Sequence, residues 1–89
     1  TRLLRRFHDA TAGSALAAGH EVVCHNDWNP TNMVFRGERA VALIDFDLAA
    51  PGSRLSDLGY GAYHWLDLGW PQHAAAEQRR RLGLIVSAY

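Results

Sequence analysis

At 89 residues the chain has room for at most one small domain, which would bury only about 60 to 65 per cent of its unfolded surface. A hydrophobic fraction of 48%, with three Trp, three Tyr and three Phe, suffices for a packed core and excludes a disordered tail. Charged residues make up 20% and the net charge is +0, so no long-range field recruits nucleic acid or an anionic membrane; the basic side chains are all arginine.

Thr1 to about Thr11 sets Leu3, Leu4, Phe7 and Ala10 on one helical face and Arg2, Arg5, Arg6 and Asp9 on the other, which predicts an amphipathic helix with Thr1 as its cap. The pattern begins midway, with neither Met nor a preceding turn, and so reads as a fragment of something longer. Ala12 to His20 is a small-residue linker carrying Gly13 and Gly19, followed by a short buried strand over Glu21 to His25. Next comes the polar stretch Cys24-His25-Asn26-Asp27-Trp28-Asn29-Pro30-Thr31-Asn32, held between the apolar runs Val22-Val23-Cys24 and Met33-Val34-Phe35 as if between two buried strands. Met33 to Phe35 and Ala40 to Phe46 form a predicted hairpin through Arg36-Gly37-Glu38-Arg39, which brings Asn32 and Asp45 to one end of adjacent strands. Ala49-Ala50-Pro51-Gly52-Ser53 reads as a turn.

Ser56 or Asp57 then caps a second helix, about Asp57 to Asp67, with Leu58, Ala62, Trp65 and Leu66 at helical spacing. Gly59 and Gly61 within it predict close packing against another backbone. Gly69-Trp70-Pro71 ends it, and His73 to Tyr89 forms a third helix with Leu82, Ile85, Val86 and Tyr89 as its core stripe. Arg79-Arg80-Arg81 reads as a solvated face, not a nucleic-acid patch. No run approaches the roughly 18 apolar residues of a membrane span, and Thr1-Arg2-Leu3-Leu4-Arg5-Arg6 is too charged for a secretory signal. The lone Cys24, among apolar neighbours, predicts a buried reduced thiol and a cytoplasmic setting.

Phosphoryl transfer from a nucleotide to a hydroxyl needs a carboxylate to orient and accept the hydroxyl proton, and oxygen ligands to hold magnesium on the phosphates. Asp27, Asn32 and Asp45 supply that inventory. Magnesium takes hard oxygen ligands and keeps several waters, so Asn32 and Asp45 fit as Mg2+ ligands, which leaves Asp27 for the hydroxyl. His25 joins Asp27 in the catalytic loop as a positioner, since either ring nitrogen can fix a turn. The bland alternative is that Asn26, Asp27, Asn29 and Asn32 only stabilise a tight turn around Pro30.

His25-x-Asp27-x-x-x-x-Asn32 followed by Ile44-Asp45 resembles the catalytic loop and metal-binding aspartate of the protein-kinase-like superfamily, in its aminoglycoside phosphotransferase and choline kinase branch. Protein kinases continue with Asp-Phe-Gly, whereas Asp45-Phe46-Asp47 is similar to the small-molecule branch. Less specific matches are Leu4-Arg5-Arg6-Phe7-His8-Asp9-Ala10-Thr11, Ala49-Ala50-Pro51-Gly52 and Asp57-Leu58-Gly59-Tyr60. The resemblance implies an α+β fold, a partial protein-kinase-like C-terminal lobe spanning 1–89: helix, short strand, catalytic loop, β-hairpin, two helices. It implies ATP or GTP as donor, a small-molecule hydroxyl such as that of an aminoglycoside or amino alcohol as acceptor, Asp27 as base, and Asn32 and Asp45 on magnesium. Asp57 would be a structural acid bracing the catalytic loop, or else a plain N-cap. Asp47 is a turn-forming aspartate or a second metal- or hydroxyl-facing acid. His8, His20, His64 and His73 lack metal-ligand spacing and read as surface or packing residues.

Neither a glycine-rich phosphate loop nor a lysine is present in these residues, so the resemblance further implies a missing N-terminal lobe and an inactive isolated fragment. Against the kinase reading stands a catalytically silent interaction or self-associating module, presenting Tyr63, Trp65 and Trp70.

Overall fold

The computed structural model describes residues 1–70 and 72–89. Helix α1 (Arg2–Thr11) forms where Leu and Arg run without Gly or Pro. Its buried stripe is Leu4, His8 and Thr11, while Ala10 is exposed, so the apolar face is rotated from the expected one and admits a histidine. A buried polar ring is tolerated there because both of its nitrogens find partners. Thr1 occupies the N-cap position but makes no side-chain cap bond. The 12–20 linker is ordered: Gly13 and Gly19 turn it at positive φ around a 3₁₀ turn, Ala15–Ala17, whose Ala17 is buried.

Strand β1 (Val22–Cys24) is buried throughout, and Thr11 Oγ1 receives the Val23 amide at 3.0 Å to join it to α1. The hairpin pairs β2 (Met33–Arg36) with β3 (Arg39–Leu43), Met33 opposite Leu43, with a bulge between Val34 and Phe35. Both strands run further into the connection than expected, which leaves a two-residue turn at Gly37. Strand β3 stops at Leu43, not Phe46, because Asp45 takes φ +61°, incompatible with a strand. Contrary to the two buried strands expected, only Met33 of β2 is buried.

A second departure is β4 (Ala50–Gly52), which lies where a turn was expected and pairs antiparallel with β1, Cys24 facing Ala50 and Val22 facing Gly52. Pro51 is tolerated because a two-stranded sheet is all edge. Gly52 is needed there, since a Cβ would lie 2.8 Å from Cys24 Sγ. The two strands that flank the polar loop therefore belong to different two-stranded sheets.

Helix α2 (Arg54–Trp65) is capped by Ser53, whose hydroxyl accepts from the Ser56 amide at 3.1 Å, so neither Ser56 nor Asp57 is the cap. It ends before Gly69: the Leu68 and Asp67 amides bond back to Tyr63 and His64 with Asp67 left-handed at φ +48°, a Schellman closure. Pro71, assigned to that terminus, lies outside the described residues. At Gly61 the nearest neighbours of an added Cβ would be not another backbone but the Trp28 ring, 1.9 Å away, so the glycine makes a slot for that side chain. Gly59 has open space around it.

Helix α3 (Ala75–Ala88) contains no buried residue. Ile85 and Tyr89 pack against the core, but Leu82 and Val86 of the predicted stripe are exposed. Gln78 ties α3 to α2 by donating to the Leu66 and Asp67 carbonyls. Arg79, Arg80 and Arg81 are solvated, and the last two bond Glu77, holding its carboxyl down at about 2. The core is Leu4, Trp28 and Met33, with Leu43, Leu58 and Trp65 among the side chains packed around it. No helix among the described residues is long and apolar enough to cross a membrane.

Candidate active site

Strand β1 feeds the polar loop at His25, which is fully buried. The next residue, Asn26, has φ +64°, a left-handed conformation that Asn adopts more readily than most residues. The adjacent amides of His25 and Asn26 both donate to Asp57, at 2.7 Å to Oδ2 and 2.9 Å to Oδ1, so one carboxylate from the first turn of α2 fixes two successive peptide units. Asn26 Nδ2 donates in turn to the Leu48 carbonyl at 3.0 Å.

The His25 ring joins the loop to the segment leading into Asp45. Its Nδ1 accepts the Asp27 amide at 3.2 Å, which assigns the hydrogen to Nε2, and Nε2 donates to the Ile44 carbonyl at 2.9 Å. Phe46 packs edge-on against the ring at 4.9 Å. The Ile44 amide donates to the Asn32 carbonyl at 3.0 Å. Both backbone groups of Ile44 are therefore spent on the loop, and the next residue, Asp45, is delivered beside it.

Asp27 is half-buried and held by two amides. Asn29 Nδ2 donates to Oδ1 at 2.9 Å and Asn32 Nδ2 to Oδ2 at 2.7 Å, and both also reach the Asp27 carbonyl. Asn29 Oδ1 caps the 3₁₀ turn Pro30–Asn32 through the Thr31 amide and hydroxyl. Asn32 is buried, and its side-chain nitrogen is committed to Asp27. Asp45 is exposed, and its Oδ1 takes the Asp47 amide at 3.4 Å; Asp47 is exposed in the following turn. The Asn32 amide oxygen and the Asp45 carboxylate are hard-oxygen donors of the type that could hold magnesium alongside phosphate oxygens and water. Among the described residues no three His, Cys, Asp or Glu gather as a metal cluster.

Asp57 is buried, and burial pushes its pKa up; the hydrogen bonds from His8 and from the His25 and Asn26 amides outweigh that and hold it below the ordinary carboxylate value. Cys24 moves the other way: burial first, then the Asp57 charge, raise its thiol, which donates to the Ser53 carbonyl at 3.2 Å. The loop is also anchored from beneath by Trp28, which is 1% exposed and packs on Trp65 with centroids 5.6 Å apart. Both indole N–H groups are buried without partners among the described residues, beside an apolar cavity of about 210 Å³ lined by Trp28, Met33 and Trp65 and by none of the candidate acids.

The structure thus joins Asp27, His25, Asn32 and Asp57 through hydrogen bonds in and behind the loop, sets Asp45 on the adjoining segment through the backbone of Ile44, and leaves Asp47 exposed in the turn beyond, its amide on Asp45. Sequence reasoning missed the side chains behind Asp57: His8 Nε2 lies 2.7 Å from its Oδ2, His8 Nδ1 bonds the Tyr89 hydroxyl, and Arg54 bonds that hydroxyl too. The available signal was His8 four residues beyond Leu4, on the buried stripe itself.

A family profile described as the phosphotransferase enzyme family matches residues 1–88. The trifolitoxin immunity protein of Rhizobium leguminosarum bv. trifolii is 38% identical over 63 residues, an alignment covering 55% of this chain and 24% of that protein. The chain therefore spans about a quarter of the length of that curated relative. No solved structure matches the chain significantly.

Proposed function

The chain belongs to the phosphotransferase enzyme family, and from that premise we propose that it carries the acceptor-side half of a kinase active site, in a partial protein-kinase-like C-terminal lobe, moving the γ-phosphate of ATP or GTP to a small-molecule hydroxyl. The observation that supports this most is the double use of Ile44, whose amide and carbonyl pin Asp45 beside the loop carrying Asp27 and Asn32. Asp27 orients the acceptor hydroxyl and takes its proton as the oxygen attacks phosphorus. Asn29 and Asn32 hold the carboxylate in one rotamer for that task, and His25 holds the backbone on which it sits. Magnesium, held by Asn32 Oδ1 and Asp45, would neutralise charge on the phosphates. The described loops offer no lysine and no glycine-rich phosphate cradle, so the reading needs a nucleotide-gripping lobe outside these residues, and its compartment is the cytoplasm, where such donors reside.

The test fuses the chain to the N-terminal lobe of a family member and follows magnesium-dependent phosphate transfer from ATP and GTP to aminoglycosides, amino alcohols and trifolitoxin, the last because the relative bears its name. Transfer lost on Asp27→Ala is expected; transfer that survives it, or none at all from the fusion, refutes the assignment.

A second reading is supported by surface. Of the aromatics expected to face outward, Trp70 and Tyr63 are 60% and 55% exposed, whereas Trp65 packs on Trp28 at the core; Leu82, Leu84 and Val86 are exposed as well. In that reading the chain works as an association module through these exposed side chains, and a strictly monomeric chain in sedimentation that binds no hydrophobic dye would refute it.

A further inference from the structure

The candidate loop is held by Asp57, and Asp57 is held from behind by residues remote in sequence. The side chains of His8 and Asp57 have no solvent exposure at all, and His8 Nε2 sits 2.7 Å from Oδ2. An ionised carboxylate only accepts, so that nitrogen carries hydrogen. On the other side of the ring, Nδ1 meets the Tyr89 hydroxyl, and the same hydroxyl lies 3.3 Å from Arg54 Nη1. Arg54 can only donate, so the phenol oxygen accepts from it; in the neutral imidazole with its hydrogen on Nε2, Nδ1 is an acceptor and takes the phenol hydrogen. Every bond then has one direction: Arg54 to Tyr89, Tyr89 to His8, His8 to Asp57, with the His25 and Asn26 amides arriving at Asp57 from the loop.

The outer end is secured independently. Arg54 also donates to Asp9 Oδ1 at 2.7 Å, Arg5 bonds both Asp9 oxygens, and the Arg5 guanidinium lies over the Tyr89 ring at 5.2 Å. Glu21 takes the Arg54 amide. The residue after α3 is thereby fastened to α1 and to the start of α2, and its hydroxyl passes this arrangement inward to His8.

We propose that His8 and Tyr89 are positioning residues for the candidate catalytic loop: a one-way chain of hydrogen bonds from Arg54 through Tyr89 and His8 fixes Asp57 in the rotamer that receives the His25 and Asn26 amides. The loop's geometry is therefore coupled to the seating of the end of α3 on α1. That the loop is catalytic rests on the function proposed above; the coupling itself does not.

The test uses nuclear magnetic resonance on the isotope-labelled 89-residue chain. In the wild type, long-range proton–nitrogen correlations are expected to show His8 neutral and protonated on Nε2; a hydrogen on Nδ1 overturns the proposal, whatever the variants do. Tyr89→Phe keeps the ring and removes only the hydroxyl. It should speed amide exchange at His25 and Asn26 by roughly tenfold, about the worth of one hydrogen bond, while the Ala62 amide in α2 keeps its rate. His8→Gln, which can still donate to Asp57, should stay near wild type, and His8→Leu should not. Unchanged exchange at His25 and Asn26 in Tyr89→Phe, or a uniform rise that includes Ala62, overturns the proposal. Failure of the lobe fusion to transfer phosphate would remove the catalytic reading and leave these rates as stated.

Discussion

Gly61→Ala is the perturbation whose sign the structure fixes most firmly. In an exposed helix interior this change stabilises by about 1 kcal/mol, because glycine loses more backbone entropy on folding. At Gly61 the new Cβ would stand 1.9 Å from Trp28 Cε3, 2.7 Å from Cζ3 and 2.9 Å from Cδ2. Ordinary carbon contacts need about 3.5–4.0 Å, so the ring must withdraw by roughly 1.5 Å or more. Trp28 is 1% exposed and packed on Trp65, so the ring can give way only by repacking that pair into the apolar cavity they line. Overpacking of this kind costs about 1–3 kcal/mol, and the upper end applies where the neighbour is a buried ring and not a flexible tip. Net of the helix gain, the loss is about 2 kcal/mol, or roughly 8–16 °C in Tm for a domain of this size. Gly59→Ala is the internal control: the same helix, open space, and an expected rise of roughly 4–8 °C. Both are read by thermal and urea unfolding monitored by circular dichroism and Trp fluorescence. If Gly61→Ala melts at or above Gly59→Ala, the Trp28 slot is wrong.

Three further outcomes are expected. Asp57 has a folded-state pKa below its unfolded one, so its contribution is complete above the unfolded value of about 3.9 and is lost as pH falls through the lower folded value; urea midpoints should drop across that acid window in wild type and much less in Asp57→Asn, and parallel curves would contradict the buried carboxylate. In the lobe-fused chain, Asp45→Ala should abolish magnesium-dependent nucleotide binding while Asp27→Ala spares binding and lowers turnover, and equal nucleotide affinity in wild type and Asp45→Ala would remove Asp45 from the metal. Cys24, buried with a raised thiol pKa, should react with a thiol reagent only as fast as the chain opens, so labelling at a free-thiol rate in native buffer would show the β1–β4 seat to be loose.

The polar loop was legible because its parts are local: His25, Asp27 and Asn32 sit within one turn of chain, and their spacing carries the chemistry. The hairpin was legible for the same reason, with apolar runs on either side of the polar connection at Gly37. What the sequence concealed depends on distant partners. Ala50-Pro51-Gly52 has turn composition, and only its pairing with β1 makes it a strand. Ser53 was passed over as a cap because Ser56 and Asp57 also fit, and the choice depends on where β4 releases the chain. His8 looked like one more unassigned histidine, since no local spacing discloses that its partner is 49 residues away. Helix α3 reads as amphipathic, yet its apolar positions are largely uncovered, and periodicity alone does not say whether a stripe has found a cover.

The two left-handed residues beside the acids separate what holds the fold from what would serve chemistry. Asn26 and Asp45 take φ +64° and +61°, each immediately next to a residue whose backbone is bonded across the site, His25 and Ile44. A left-handed non-glycine residue costs roughly 1–2 kcal/mol, less for Asn and Asp, and a chain of this size has little stability to spare. At Asp45 the cost could be removed by glycine, which adopts positive φ freely. An acid there is therefore not explained by the backbone. Asp45→Gly should accordingly be more stable than Asp45→Ala by about 1 kcal/mol, and at least as stable as wild type, since among the described residues the only bond its side chain gives up is the long 3.4 Å one from Asp47. In the lobe-fused chain both variants should lose magnesium-dependent nucleotide binding alike. An Asp45→Gly chain clearly less stable than wild type would mean that the carboxylate supports the fold, and the stability argument for a metal-facing role would fail.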